Sequence, residues 1–288
     1  MAALLLGALV YAQMLSDRAR DAEQDGAVTP AATQPADDAA VVRRFSDDFS
    51  VNATVEEAGD ISESADSDWW LGSGAFFYRA EGTGRTVRGS LEAGSKWQTL
   101  YRKNDPGETD DGEHPQNIFR LVLRKEWRNL IQQSYFKIIE YRQSSDEHRS
   151  ASNGLLLFNR YRDEDNLYYT GIRVDGTAVI KKKVDGAYYT MASKRIYAGE
   201  YDRESNPNLL PTDTWIGIRS EVSDNDDGTV AIRLFIDRDR SGKWEFALEA
   251  EDDGKSFGGE AIRGEGYAGI RTDFMDAQFD DYTIAERE

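Results

Sequence analysis

Residues 153–191 read NGLLLFNRYRDEDNLYYTGIRVDGTAVIKKKVDGAYYTM, four β-forming runs divided by three turns. Two of those turns are spelled alike, Val174-Asp175-Gly176 and Val184-Asp185-Gly186. Asp-Gly between β-formers is a strong short hairpin signal, because a type I′ turn needs positive φ at both central residues. Two-residue loops at both places put Tyr169 opposite Lys182 and Tyr168 opposite Lys183, then Lys182 opposite Tyr189 and Lys183 opposite Tyr188. Side chains alternate faces along a strand, so each face would carry a Tyr–Lys–Tyr row, 169/182/189 and 168/183/188. Cross-strand Cβ atoms lie about 4.5–5.5 Å apart, and a solvent-facing row of that kind suits a sugar ring or an acidic chain. With Asn159 and Arg160 from the preceding strand, Tyr168, Tyr169, Lys182, Lys183, Tyr188 and Tyr189 form the ligand-binding candidates.

The same grammar runs through the body of the chain. Short apolar and aromatic runs recur at 44–49, 75–79, 86–91, 97–102, 118–124, 134–141, 155–161 and 167–174. They continue at 177–184, 187–191, 215–222, 230–237, 244–249, 267–271 and 277–284, and Gly, Asp, Asn or Pro fills nearly every gap. Asp66–Gly74 reads as a loop, and no window of the body has convincing helical periodicity. Such spacing predicts an all-β, two-sheet antiparallel sandwich over 41–288, with no internal boundary. Upstream, residues 1–16 hold an apolar run too short for a typical membrane span, with Val10-Tyr11-Ala12 resembling a signal-peptide cleavage site. Residues 17–40, rich in Ala, Asp, Gln and Pro, read as a disordered linker. A secreted, periplasmic or cell-surface location follows, with membrane contact only through the first segment if it is uncleaved.

Composition narrows the chemistry. The absence of Cys excludes disulfides, thiol catalysis and Cys-type zinc sites. The two histidines, His114 and His148, are too few for a centre with three histidine ligands. A net charge of −18 opposes binding to nucleic acid, whose phosphates need a basic face. No organic cofactor is expected.

Opening Phe45-Ser46-Asp47-Asp48-Phe49 and closing Gly266-Tyr267-Ala268-Gly269-Ile270-Arg271-Thr272-Asp273 with Phe279-Asp280-Asp281-Tyr282 resemble the concanavalin A-like jelly rolls, the laminin G-like branch in particular. The resemblance implies paired first and last strands, with Phe49 near Phe279. It also implies a curved sandwich that binds polysaccharide or cell-surface glycan, often with structural calcium. Catalytic members of the fold supply further expectations. Many of its retaining glucanases carry Glu-x-Asp-x-x-Glu on one strand, setting two carboxylates about 5–5.5 Å apart, and this chain has no such motif. Alginate lyases of the fold carry Tyr-Phe-Lys-Ala-Gly-x-Tyr-x-Gln, which Tyr135–Gln143 matches in part, with Ile138-Ile139 replacing Ala-Gly. Strand alternation would put Lys137, Tyr141 and Gln143 on one face. A lyase needs a carboxylate neutraliser and a base, so Gln116 and Arg160 are candidates for the first role, His114 and Tyr141 for the second. The two readings are a binding module and, as the alternative, a polysaccharide lyase or glycoside hydrolase acting on an acidic glycan.

One metal signal stands apart. Asp237-Arg238-Asp239-Arg240-Ser241-Gly242 has oxygen side chains at positions 1, 3 and 5 and Gly at 6, the first half of a calcium loop. Position twelve is Leu248 where the bidentate Glu is usual, so Asp237, Asp239 and Ser241 are calcium candidates needing outside help.

Overall fold

A computed structural model describes residues 41–287 and shows two antiparallel sheets packed face to face. The apolar segment 1–16 and the linker 17–40 lie outside the described residues. The strands are β1 Val41–Asp47, β2 Ala53–Glu56, β3 Trp69–Ser73, β4 Phe76–Ala80, β5 Thr83–Arg85, β6 Ile118–Trp127, β7 Leu130–Tyr141 and β8 Gly154–Asp163. After them come β9 Asn166–Arg173, β10 Thr177–Val184, β11 Ala187–Arg195, β12 Ile216–Asp224, β13 Val230–Asp237, β14 Glu245–Asp252, β15 Gly266–Asp273 and β16 Met275–Arg287. One sheet runs β14-β13-β12-β7-β16-β5-β4-β2, with β1 also on β16; the other runs β11-β10-β9-β8-β15-β6-β3.

The alternation that defines each strand also builds the core. Leu155 and Leu157 of β8 point between the sheets, with Ile172, Ile180, Ile270, Phe136, Ile218 and Phe279. Their neighbours Leu156 and Phe158 join a second apolar group on the opposite side of the same strand. First and last strands pair as the resemblance implies, from Val41↔Arg287 to Asp47↔Tyr282. Phe49 and Phe279 meet through Phe77, whose ring lies 5.5 Å from one and 6.2 Å from the other.

Four expectations give way. The first Val-Asp-Gly turn is a three-residue loop: Gly176 N donates to Arg173 O at 2.9 Å, and Gly176 alone takes positive φ, +82°. The second is the two-residue turn, with Asp185 at +47° and Gly186 at +81°. Register between β9 and β10 therefore shifts by one, giving Lys181↔Tyr169 and Lys182↔Tyr168, whereas Lys182↔Tyr189 and Lys183↔Tyr188 stand. Residues 97–102 belong to a helix, α1 Lys96–Asn104, which Ser95 caps by accepting from Gln98 N. Trp97 and Tyr101, four apart on one face, are buried together with Gln98. Within the expected loop 66–74, Trp69–Ser73 forms strand β3 against β6 because Trp69, Leu71 and Ser73 alternate inward. Residues 86–91 are no strand; the neighbouring strand is β5.

Candidate functional site

The inward face of the β9–β10–β11 meander is closed to solvent over β9 and β10 and only half-buried at Tyr189 of β11. Tyr168 and Lys182 are both fully buried. Lys182 Nζ sits 2.9 Å from Asp252 Oδ2 and donates to the carbonyls of Gly259 and Glu260 at 2.9 and 2.7 Å. Tyr168 donates to the same carboxylate at 2.6 Å and accepts from Ile262 N at 2.9 Å. Burial and the Asp252 hydrogen bond together push the Tyr168 phenol far above its ordinary value. The half-buried Tyr189 lies so close to Gly258 that a Cβ there would meet its ring at 2.1 Å. This row ties residues 252–262 to the sheet, so Tyr168 and Lys182 are corrected from a surface row to structural anchors.

Asn159 and Arg160 are also interior. Asn159 accepts from Gln132 Nε2 at 2.8 Å and Ser220 Oγ at 2.9 Å, and donates to Thr170 Oγ1 at 3.1 Å. Tyr282 donates to Gln132 Oε1 at 2.9 Å, so a satisfied polar network spans the two sheets. Arg160, at φ +49° where β8 bulges, donates to Asp224 at 2.6 Å and Ile262 O at 2.9 Å. Gln116 is buried and donates to Gly89 O and Asp276, both at 2.8 Å. His114 bridges Asp110 at 2.9 Å and Ser90 at 3.0 Å.

Tyr141 turns inward because the register of β7 against β16 slips at Ile139, between Ile138↔Ala277 and Glu140↔Asp276. A bulge inverts the alternation beyond it. Lys137 therefore stays outside, 4.3 Å over the Trp215 ring, while Tyr141 packs on the core. The shared face of Lys137 and Tyr141 does not form, and the other three catalytic candidates, His114, Gln116 and Arg160, each serve separate partners.

The Asp237 loop folds around its own first residue. Asp237 Oδ1 accepts from Asp239 N, Ser241 N and Ser241 Oγ; Oδ2 accepts from Gly242 N at 2.7 Å and Tyr135 OH at 2.9 Å. Burial, followed by the Asp237 hydrogen bond, pushes Tyr135 up to about 12. Arg240 places a cation in the same loop, 2.6 Å from Asp280 and 2.7 Å from Asp281. A calcium ion would have to strip five donors from Asp237 beside a guanidinium. Asp237, Asp239 and Ser241 do not fit it.

What remains is the outward face of the seven-stranded sheet. Trp70 from β3, Tyr267 from β15 and Tyr188 from β11 surround a floor of Val122, Phe158, Tyr161, Leu167 and Tyr169. Tyr169 and Tyr188 stack with centroids 6.0 Å apart and 25° between planes. Nζ of Lys181 and of Lys183 hang 5.1 and 4.9 Å over the Tyr188 ring. Arg271 donates to Tyr169 OH at 2.8 Å and to Asp273 Oδ1 at 2.8 Å. Burial pushes the Tyr169 phenol far up. Burial alone would do the same to Tyr188, but Arg271 and Lys183 outweigh it and hold that phenol below the ordinary tyrosine value. The cause is the cations beside the ring, Arg271 and Lys183, which make the potential at this phenol positive.

Tyr169, Lys183 and Tyr188 are thus the sequence-derived ligand candidates that share this face. Trp70, Arg120, Tyr267 and Arg271 join them. Strand alternation along the Tyr-Ala-Gly-Ile-Arg run is a signal that would put Tyr267 and Arg271 on one face, but nothing local says which face. A cleft of about 140 Å³ between the edge strands β11 and β14, lined by Lys194, Arg195, Arg238 and Phe246 among others, holds none of the candidates.

Comparison with protein-family models finds no match, and comparison with curated proteins finds none. Solved structures do resemble this chain. A carbohydrate-binding module, CBM66 from Bacillus subtilis, matches at 13% identity over 59% of this chain and 83% of its own, TM-score 0.40. The GH43 protein BlXynB from Bacillus licheniformis matches at 13% identity over 83% of this chain, TM-score 0.44; the match spans only 39% of that longer chain. The exoplasmic/lumenal domain of VIP36, in a calcium- and mannose-bound form, matches at 8% identity over 80% of this chain and 88% of its own, TM-score 0.40. Identities this low leave the ligand to be argued from the face itself.

Proposed function

We propose that this protein is an extracytoplasmic carbohydrate-binding module whose ligand lies on the outward face of the seven-stranded sheet. The observation that carries the reading is the half-buried aromatic set Trp70, Tyr188 and Tyr267, packed on a buried apolar floor and flanked by Arg and Lys. Aromatic faces take up the apolar side of a sugar ring, and neighbouring cations donate to its oxygens. The partner is a polysaccharide or cell-surface glycan. Export rests on the apolar segment 1–16.

Affinity electrophoresis through gels holding different polysaccharides tests this. At least one polymer should retard the protein, and Tyr188→Ala and Trp70→Ala, on the two edge strands β11 and β3, should each weaken retention several-fold with folding intact. No retardation by any polymer, or full retention by both variants, would remove the proposal.

A second reading, a polysaccharide lyase on the same face, is favoured by one feature. Tyr188, acidified beside Arg271 and Lys183, is suited to take a proton next to a carboxylate that the cations neutralise. Growth of ultraviolet absorbance from new carbon–carbon double bonds on incubation with a polyuronate would establish it; a flat trace leaves a binding module.

A further inference from the structure

Arg120 on β6 stands directly opposite Arg271 on β15. Like charges in that position repel and destabilise a sheet. On the Arg120 side only one carboxylate is in direct contact, with Asp105 and Glu108 acting from further away. Arg271 has the buried Asp273, whereas the carboxylate on Arg120 is Glu164, 3.0 Å away in a side chain 54% exposed. A ligand acid group can replace that partner without opening the core.

Lys181 lies on β10, three strands from β15 and thus about 14 Å across the sheet. Lys183 is beside it, and the Tyr169–Tyr188 stack fills the space between these cations and Arg271. This cationic run belongs to a chain of net charge −18, whose overall field repels anions. Its position beside outward-facing rings gives it a use that general solubility does not.

We propose that the ligand of this face is an anionic polysaccharide, with Arg120 and Arg271 together seating one carboxylate or sulfate group and Lys181 and Lys183 meeting another further along the chain. Paired guanidiniums match an oxyanion through several parallel N–H donors, and the bound anion relieves their mutual repulsion. This inference rests on the carbohydrate-binding reading and narrows it.

The test uses the full chain against a polyuronate, the same polymer with its carboxyls reduced, a sulfated dextran and plain dextran. Binding to at least one anionic polymer is expected, with at least tenfold loss between about 20 and about 200 mM salt, as the Debye length drops from about 20 to about 7 Å. Preference for polyuronate or for sulfated dextran then identifies the acid group. Arg120→Gln should weaken binding about tenfold or more, and Arg120→Lys should recover part of it. The melting temperature of Arg120→Gln should change little, since the repulsion by Arg271 that it removes is offset by the lost pairing with Glu164; an Arg120 that merely tethered Glu164 would leave binding untouched. Equal, salt-insensitive binding to neutral and anionic polymers would overturn the anionic proposal while leaving a carbohydrate-binding face. No binding to any of the four would overturn the anionic proposal, and affinity electrophoresis over a wider set of neutral polysaccharides would then decide the carbohydrate-binding reading.

Discussion

Lys182 and Lys183 are adjacent in the chain and live in different media. Lys182 is sealed between the sheets, with Asp252, two carbonyls and the Tyr168 hydroxyl around it. Lys183 lies outside over the Tyr188 ring, 3.3 Å from Asp165, whose side chain is 49% exposed. The contrast teaches that one residue type, on one strand, can be either a structural rivet or a contact for a ligand. Only the facing partner decides which.

The largest expected effect tests the inward half. Lys182→Ala leaves the fully buried Asp252 without its cation and should cost about 3–5 kcal/mol in a denaturant melt, as broken buried pairs do. A cost below about 1 kcal/mol would mean water reaches Asp252 and the two environments are less distinct than described. Next, Tyr168→Phe removes a hydroxyl that serves both Asp252 and Ile262 N, for a loss of about 1–3 kcal/mol. The smallest effect lies outside. Lys183→Ala, losing a ring contact and a partly exposed ion pair, should cost about 1 kcal/mol or less. Its signature is a phenol: Lys183 helps hold Tyr188 below the ordinary value, so removing that cation should move the Tyr188 ionisation upward. Alkaline ultraviolet titration reads the change, and a downward or absent shift would place Lys183 elsewhere.

The letters Val-Asp-Gly show where reading a sequence stops. The second turn obeys the two-residue rule and its register is legible. In the first, only Gly176 takes positive φ and the chain returns one residue later. Both outcomes suit the same tripeptide, because a three-residue hairpin also ends on a left-handed glycine. The choice is made by what the strands must bury, since a slip of one exchanges every side chain between faces. The sandwich was legible from periodicity, and the pairing of the ends was implied by the resemblance that the opening and closing motifs carry; the short strands β2, β3 and β5 were not legible. Helix α1 was not, being nine residues long and recognisable mainly by the Ser95 cap. Nor was the Arg120–Arg271 juxtaposition, which joins strands far apart in the chain and needs the sheet order to be seen. The calcium reading of residues 237–242 failed for a related reason. Oxygen spacing cannot say whether a carboxylate will be satisfied by its own loop.

Strands β15 and β16 occupy the middle of the two sheets, and β16 alone bridges β7, β5 and β1. A growing chain cannot complete either layer before its closing segment has emerged, so early strands must wait with open edges. Pulse-labelling of nascent chains should find resistance to protease arriving late and all at once, after Gly266–Arg287 clears the ribosome.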